Sequence, residues 1–160
     1  MGEFLLSVVI SVLIDKDNNV LLLQRKKGDY AGLLGFPGGK IERGEHVSGA
    51  AVREILEESG IRSRFKSHLG LVSEHLVENG AVIQHFLLNV CELVPETTEI
   101  STDIEGKLGW YPISGIEGIR ARMIPSDYEM MRRMVLKKEK SYFECVMEKR
   151  GAEYALKRFE

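Results

Sequence analysis

Four charged residues on one short stretch, Arg53, Glu54, Glu57 and Glu58, carry the strongest chemical signal in the chain. Their surroundings predict a helix. Ala50, Ala51, Val52, Ile55 and Leu56 supply helix-favouring and apolar positions, and Gly60 stands where a C-terminal cap belongs. At about 100° of rotation per residue, Glu57 falls about 60° to one side of Glu54 and Glu58 about 40° to the other. Three like charges on so narrow a stripe weaken a bare helix. A divalent cation such as Mg²⁺ would resolve the repulsion, because it takes oxygen ligands and is shared with substrate phosphates. Helix geometry alone leaves a solvated acidic face open as the alternative. Ala50 and Ala51 lie on the same stripe one turn earlier and are small enough to let something approach closely. Arg53, about 100° from Glu54, can fold back and orient a neighbouring carboxylate through charge-assisted hydrogen bonds.

What precedes this helix sharpens the reading. Gly35-Phe36-Pro37-Gly38-Gly39-Lys40 is a glycine-rich loop, followed by Glu42, Gly44 and Glu45. Such loops bring backbone carbonyls and amides close to a ligand. The pattern G-x5-E-x7-R-E-U-x-E-E-x-G-U, with U aliphatic, is met at Gly39, Glu45, Arg53, Glu54, Ile55, Glu57, Glu58, Gly60 and Ile61 without a departure. Residues 39–61 thus resemble the Nudix box of the Nudix hydrolase family.

The resemblance implies an α/β (α+β) fold, a mixed sheet between helices, with the glycine loop and box helix lining one cleft. It implies hydrolysis of a nucleoside diphosphate linked to a further group. Mg²⁺, with Mn²⁺ as a substitute, would sit on Glu54, Glu57 and Glu58, with a carbonyl of Gly38 or Gly39 as a further ligand. A Glu-Gly segment before an aromatic strand often lies across from the box in this family, which makes Glu105 another candidate metal ligand and catalytic carboxylate. The base that activates water is Glu54 or Glu105. Arg53 orients the carboxylates, and Glu45 steadies the loop. Arg25, Gly38, Gly39 and Asp127 are the candidate substrate-binding residues. In MutT-like members a segment just before the last helix reads the nucleobase, and Asp127 occupies that place; Ser126 or Asp127 could equally cap the helix.

Residues 75–79 lack the proline seen at that place in ADP-ribose hydrolases and the tyrosine seen in dinucleoside polyphosphate hydrolases. With the short chain and Pro125-Ser126-Asp127, the resemblance leans to a nucleoside triphosphate pyrophosphohydrolase. The expected reaction releases a monophosphate and pyrophosphate from a (deoxy)nucleoside triphosphate, an oxidised one such as 8-oxo-dGTP included. Hydrolysis of ADP-ribose or another nucleotide sugar, of a dinucleoside polyphosphate or of capped RNA is the alternative. A nucleotide-sensing module without catalysis is a third, which the retained box carboxylates disfavour.

Composition bounds the rest. The 160 residues predict one domain over 1–160 with a substantial core. A net charge of −2 provides no basic footprint for nucleic acid. Cys91 and Cys145 suit neither a disulfide framework nor a zinc site and predict free thiols in the cytoplasm. The apolar run at 4–14 is too short to span a bilayer, so no membrane partner is expected.

The elements that must position these groups follow in order. Residues 4–15 and 20–25 read as two strands of a hairpin around the turn-forming 15–19. Strands are predicted over 64–72, continuing extended to 78, and over 81–93, joined at Asn79-Gly80. His68, His75 and His85 have no ligand spacing, and Trp110 reads as core. A last helix is predicted over about 126–140, with Met130, Met131 and Met134 on its apolar side. The tail, about 141–160, reads as an added hairpin around Arg150-Gly151, which could edge the sheet, cover the site or pair with a second copy in a homodimer.

Overall fold

The computed structural model describes residues 3–160; the first two positions of the expected 1–160 span lie outside the described residues. Apolar β-branched runs form a mixed sheet. Strands β1 (Leu5–Leu13), β2 (Asn19–Arg25), β3 (Leu34–Gly35) and β4 (Gly38–Lys40) precede helix α1 (Val47–Ser59). Then come β5 (Ser63–Glu78), β6 (Ala81–Pro95) and β7 (Gly106–Pro112), a 3₁₀ stretch (Ile113–Arg122), and α2 (Pro125–Glu129), whose course continues in wider π turns over Met130–Leu136. The chain closes with β8 (Tyr142–Arg150) and β9 (Glu153–Phe159).

Six strands form one sheet in the order β4-β1-β6-β5-β8-β9, and β3-β2-β7 form a second. In the larger sheet β1 with β6 and β5 with β8 run parallel, and the remaining pairs antiparallel. The long β5–β6 hairpin turns at Asn79 (φ 51°) and Gly80 (φ 79°), the left-handed pair that a two-residue turn requires. β6 is internal, as its two apolar faces predict.

The 4–15/20–25 hairpin does not form. The turn is present, with Asp15 Oδ1 accepting from the N–H of Asp17 at 2.9 Å and of Asn19 at 2.8 Å. Beyond one bridge, Ile14 to Val20, the strands part. Both edges of β1 are taken, by β4 and by β6. β2 turns away to pair with β7 and β3, burying Val20 to Leu23 in the process.

The last helix also differs from expectation. It begins at Pro125, a favoured first helical position, and no side chain caps it: Ile124 precedes it, and Ser126 and Asp127 lie inside and buried. It ends at Leu136, short of 140, where Lys138 takes a left-handed φ of 49°. Met130, Met131 and Met134 are buried as expected.

The terminal hairpin forms and extends the sheet through β8 on β5. It is part of the core. Phe143 is fully buried, its ring lies 4.8 Å from that of Phe159, and the Arg133 guanidinium stacks over it at 4.7 Å. Among the described residues no helix is long and apolar enough to cross a membrane.

If the hairpin shares the core, Phe143→Ala should lower unfolding free energy by about 3–5 kcal/mol in one cooperative transition, measured by urea denaturation. A separate early transition for the tail would show that it folds apart.

Candidate active site

Helix α1 is held at both ends. Gly60, at φ 77°, closes it, and its N–H donates to the Leu56 carbonyl at 2.9 Å. The loop 97–105 docks on the same end: Ser101 N–H donates to Ser59 O at 2.8 Å and Thr102 Oγ1 to Glu58 O at 2.7 Å. These bonds satisfy helix carbonyls that would otherwise lack partners, and they carry the chain on to Glu105. Ala50 and Ala51 face the core, so what approaches them closely is β1, whose Ser11 hydroxyl donates to the Ala51 carbonyl at 3.3 Å.

Arg53 ties helix to loop. Its Nε and Nη2 donate to the two oxygens of Glu45, at 2.7 and 2.9 Å, a bidentate pair. Nη2 also donates to the Lys40 carbonyl at 3.1 Å. Nη1 reaches Glu54 at 2.9 Å and Glu57 at 3.2 Å. Glu45 in turn accepts the Glu42 N–H at 3.1 Å. Arg53 and that N–H hold the Glu45 carboxyl down near 2.

Glu54, Glu58 and Glu105 share a cleft of about 490 Å³ with Gly38, Gly39 and Arg25. Gly39 abuts Glu54 so closely that a Cβ would lie 2.3 Å from the carboxyl carbon; at Gly38 it would lie 2.1 Å from the Val9 carbonyl of β1. Burial raises the Glu54 carboxyl, against Arg53. Burial, then the charges of Glu54 and Glu105, push Glu58 up to about 8. One buried Glu58 oxygen, Oε2, has no hydrogen-bond partner. An orphaned carboxylate oxygen, neighbouring acids and bare glycine backbone are the donor set of a hard divalent cation. Among the described residues no three acidic, His or Cys side chains already form a cage. Glu57, the third of the expected trio, lies outside the cleft lining, more than half exposed, on Arg53.

A second cavity, of about 210 Å³, adjoins the cleft and shares Val8, Ile10, Arg25 and Phe36 with it. Phe86, Leu88 and Ile124 add apolar walls, and Glu74 and Asp127 are its buried acids. Asp127 Oδ2 accepts the Phe36 N–H at 2.8 Å, which is its actual role in place of capping. Gly35 permits this contact, since a Cβ there would meet Asp127 Oδ2 at 2.6 Å. Burial, reinforced by the Glu74 charge and opposed by the Phe36 N–H, lifts Asp127 to about 7. Burial likewise raises Glu74.

The structure therefore gathers Arg25, Gly38, Gly39, Glu54, Glu58 and Glu105 at one cleft, with Arg53 behind it, Asp127 in the adjoining cavity and Glu57 outside its lining. Lys26 and Lys27 are exposed, Trp110 packs on the α1-side core with Nε1 donating to Thr98 O at 2.9 Å, His68 and His85 bond across strands to Asn89 and Ser73, and His75 packs edge-on against His85. Sequence reasoning missed Asp29, Tyr30 and Glu74. A signal for Glu74 existed: it falls between Val72 and Leu76 on the buried face of β5, where an acid is out of pattern. Asp29 and Tyr30 sit in a loop without periodicity and left no such trace.

The NUDIX domain family model matches residues 5–134. The chain is 45% identical over 67 residues to an ADP-ribose pyrophosphatase of Methanocaldococcus jannaschii, 42% of this chain and 40% of that protein. It therefore spans about two fifths of that relative's length. It is 36% identical over 100 residues to an 8-oxo-dGTP diphosphatase of Proteus vulgaris, 62% of this chain and 88% of that one. Among solved structures, a MutT protein from Methanosarcina mazei superposes with a TM-score of 0.70, at 19% identity over 88% of this chain and 99% of that chain.

Asp127 sets a pH dependence of stability. Unfolded, its carboxyl titrates near the ordinary 3.8; folded, near 7. The native state thus holds a proton that the unfolded chain loses, so its contribution is complete below about 4 and is lost as pH rises to about 7. The melting temperature of Asp127→Asn relative to the parent should rise from pH 4.5 to 7 and level off above. A pH-independent difference in paired thermal melts would contradict the burial assigned to this acid.

Proposed function

The chain belongs to the Nudix family, and from that premise we propose that it is a divalent-metal-dependent pyrophosphohydrolase of a (deoxy)nucleoside triphosphate, releasing the monophosphate and pyrophosphate. The observation that carries this reading is the continuity of the acidic cleft with the apolar, acid-floored cavity across Arg25 and Phe36. Phosphates and base need such adjacent compartments, one polar and cation-ready, the other flat and apolar.

Nudix hydrolases use divalent metals. Here Glu54, Glu58 and Glu105, with a carbonyl of Gly38 or Gly39, are the groups that would hold Mg²⁺ or Mn²⁺. When bound, the cation supplies charge neutralisation on the phosphates and acidifies water. The chain's own residues do the rest. Arg53 fixes the Glu54 carboxylate, so its free oxygen is presented in one orientation. Arg25 stands between the compartments, where it can pair with a phosphate as the base enters the second. Glu54, from α1, or Glu105, from the facing loop, accepts the proton of the attacking water. Glu57 keeps Arg53 in place from the rim. In the base cavity Asp127 and Glu74 offer polar contacts among apolar walls, the arrangement that gives small-molecule sites their orientation.

A nucleotide-sugar substrate is the second reading, supported by the 45% identity to a protein named ADP-ribose pyrophosphatase. The two unpaired, buried cysteines support a reducing, cytoplasmic setting. β9 is the outer strand of the sheet and the edge on which a second copy could pair.

A substrate panel decides between the readings. With Mg²⁺ and canonical or oxidised nucleoside triphosphates, ADP-ribose, NADH and diadenosine polyphosphates, we expect pyrophosphate and a nucleoside monophosphate. AMP with ribose phosphate would move the assignment to nucleotide sugars, and no product from any compound would end the enzymatic reading. On the panel's best substrate, Glu58→Gln and Gly39→Ala should each lower kcat by about 100-fold or more, the second by displacing Glu54. Glu57→Gln should lose less. Equal turnover by Glu58→Gln and the parent protein would refute the site.

A further inference from the structure

The terminal hairpin lies beyond the residues that match the family model, yet it reaches the base cavity. Lys149 on β8 and Tyr154 on β9 are direct cross-strand partners, so their side chains share a face. Lys149 Nζ donates to Asp29 Oδ1 at 2.8 Å, and the Tyr154 hydroxyl donates to the same oxygen at 2.9 Å. The Tyr154 ring meets the Tyr30 ring with centroids 4.3 Å apart. Asp29 and Tyr30 line the cavity; Lys149 and Tyr154 do not.

The loop so gripped is unusual on its own terms. Tyr30 has φ 64°, a left-handed conformation that a bulky side chain adopts only when its surroundings impose it. The Asp29 carbonyl accepts from Arg25 Nε at 2.9 Å, and the Arg25 carbonyl accepts the Gly32 N–H at 2.7 Å. The same segment thus carries the arginine that lies between the two compartments. Partial burial opposes ionisation of Asp29, but Lys149, Tyr154 and Arg25 outweigh it and hold the carboxyl below its ordinary range. Without Lys149, that carboxylate would turn to the nearest cation left, Arg25, and draw it from an anionic ligand.

We propose that Lys149 and Tyr154 are positioning residues for nucleotide recognition: by holding Asp29 they fix the loop 26–33 as the wall of the base cavity and keep Arg25 free for the phosphates. This rests on the reading of the cavity as the base site. The hairpin is then a device for affinity and selectivity added outside the catalytic box.

The test uses Lys149→Met and Tyr154→Phe in the full chain, the second keeping the ring on Tyr30. With the best substrate of the panel, KM should rise roughly tenfold, the size of one charge-assisted hydrogen bond, with kcat within about twofold and discrimination among nucleotides reduced. Asp29→Asn should match Lys149→Met, and the double variant should be no worse than either. Arg158→Ala, which breaks a hairpin ion pair to Glu144 at 3.0 Å away from the loop, should change none of these. Hydrogen exchange in the ligand-free protein should quicken at the Gly32 and Leu33 amides and stay unchanged in α1. Unchanged exchange there overturns the tether, even if no panel compound is hydrolysed and the assigned function itself fails. Faster exchange with unmoved KM, or a loss confined to kcat, overturns the role in recognition.

Discussion

Repulsion among half-buried carboxylates is the constraint around which this molecule is arranged. Glu54, Glu58 and Glu105 face one cleft, and left alone they would take up protons or spread apart. Arg53 is the fixed counterweight. It reaches Glu54 and Glu57 with one nitrogen and is itself clamped by both oxygens of Glu45. Isolated surface ion pairs contribute little, but a bidentate pair that also holds the Lys40 carbonyl fixes geometry as well as charge. The glycine loop and the helix therefore move as one body, and the distance between Gly39 and Glu54 is set by contact.

Rigidity behind that contact comes from β1. Its alternation sends Val9 and Leu13 to the cluster under α1 and Ile10 and Val12 to the cluster under α2. One strand thus partitions two cores, and the edge between them, at Val8 and Ile10, is where both cavities open. This explains why β1 cannot pair with β2. A hairpin would place β2 where β4 brings Gly38 and Gly39 against β1, and the loop would lose its support.

Local chemistry was legible in the residues wherever a short-range rule decides. The nine box positions fall in one unbroken stretch, residues 39–61, and the Gly60 cap and the Asn79-Gly80 turn act within a few residues of themselves. What depends on competition between distant segments was not. The turn at 15–19 formed as its aspartate predicts, but the pairing beyond it was decided by β4 and β6. Asp127 has the residue type of a helix cap, yet the Phe36 N–H, 91 positions away, holds it. Glu57 shares the stripe with Glu54 and Glu58, but an angle on a helical wheel does not say which flank faces the cleft. Glu54 and Glu58 line the cleft, while Glu57 reaches Arg53 at its rim.

Each compartment buries an acid, Glu58 in the cleft and Asp127 in the inner cavity, and their neighbours differ. On the open side Glu45, Glu54 and Glu57 stay within reach of Arg53, while Glu58, buried without such a partner, is pushed up to about 8. Around the inner cavity Glu74 and Asp127 are fully buried, with Arg25 the cation that bears on Asp127. Desolvation there exceeds what one arginine at the mouth can offset, so Asp127 keeps its proton up to about 7 and Glu74 is raised above the ordinary carboxylate range. A protonated carboxyl donates as well as accepts, and Asp127 already spends one oxygen on Phe36. Asp127 thus gives the inner cavity a carboxyl that keeps its proton up to about 7, while Glu58, raised as far in the outer cleft, has a buried oxygen without a partner where a cation would take the proton's place.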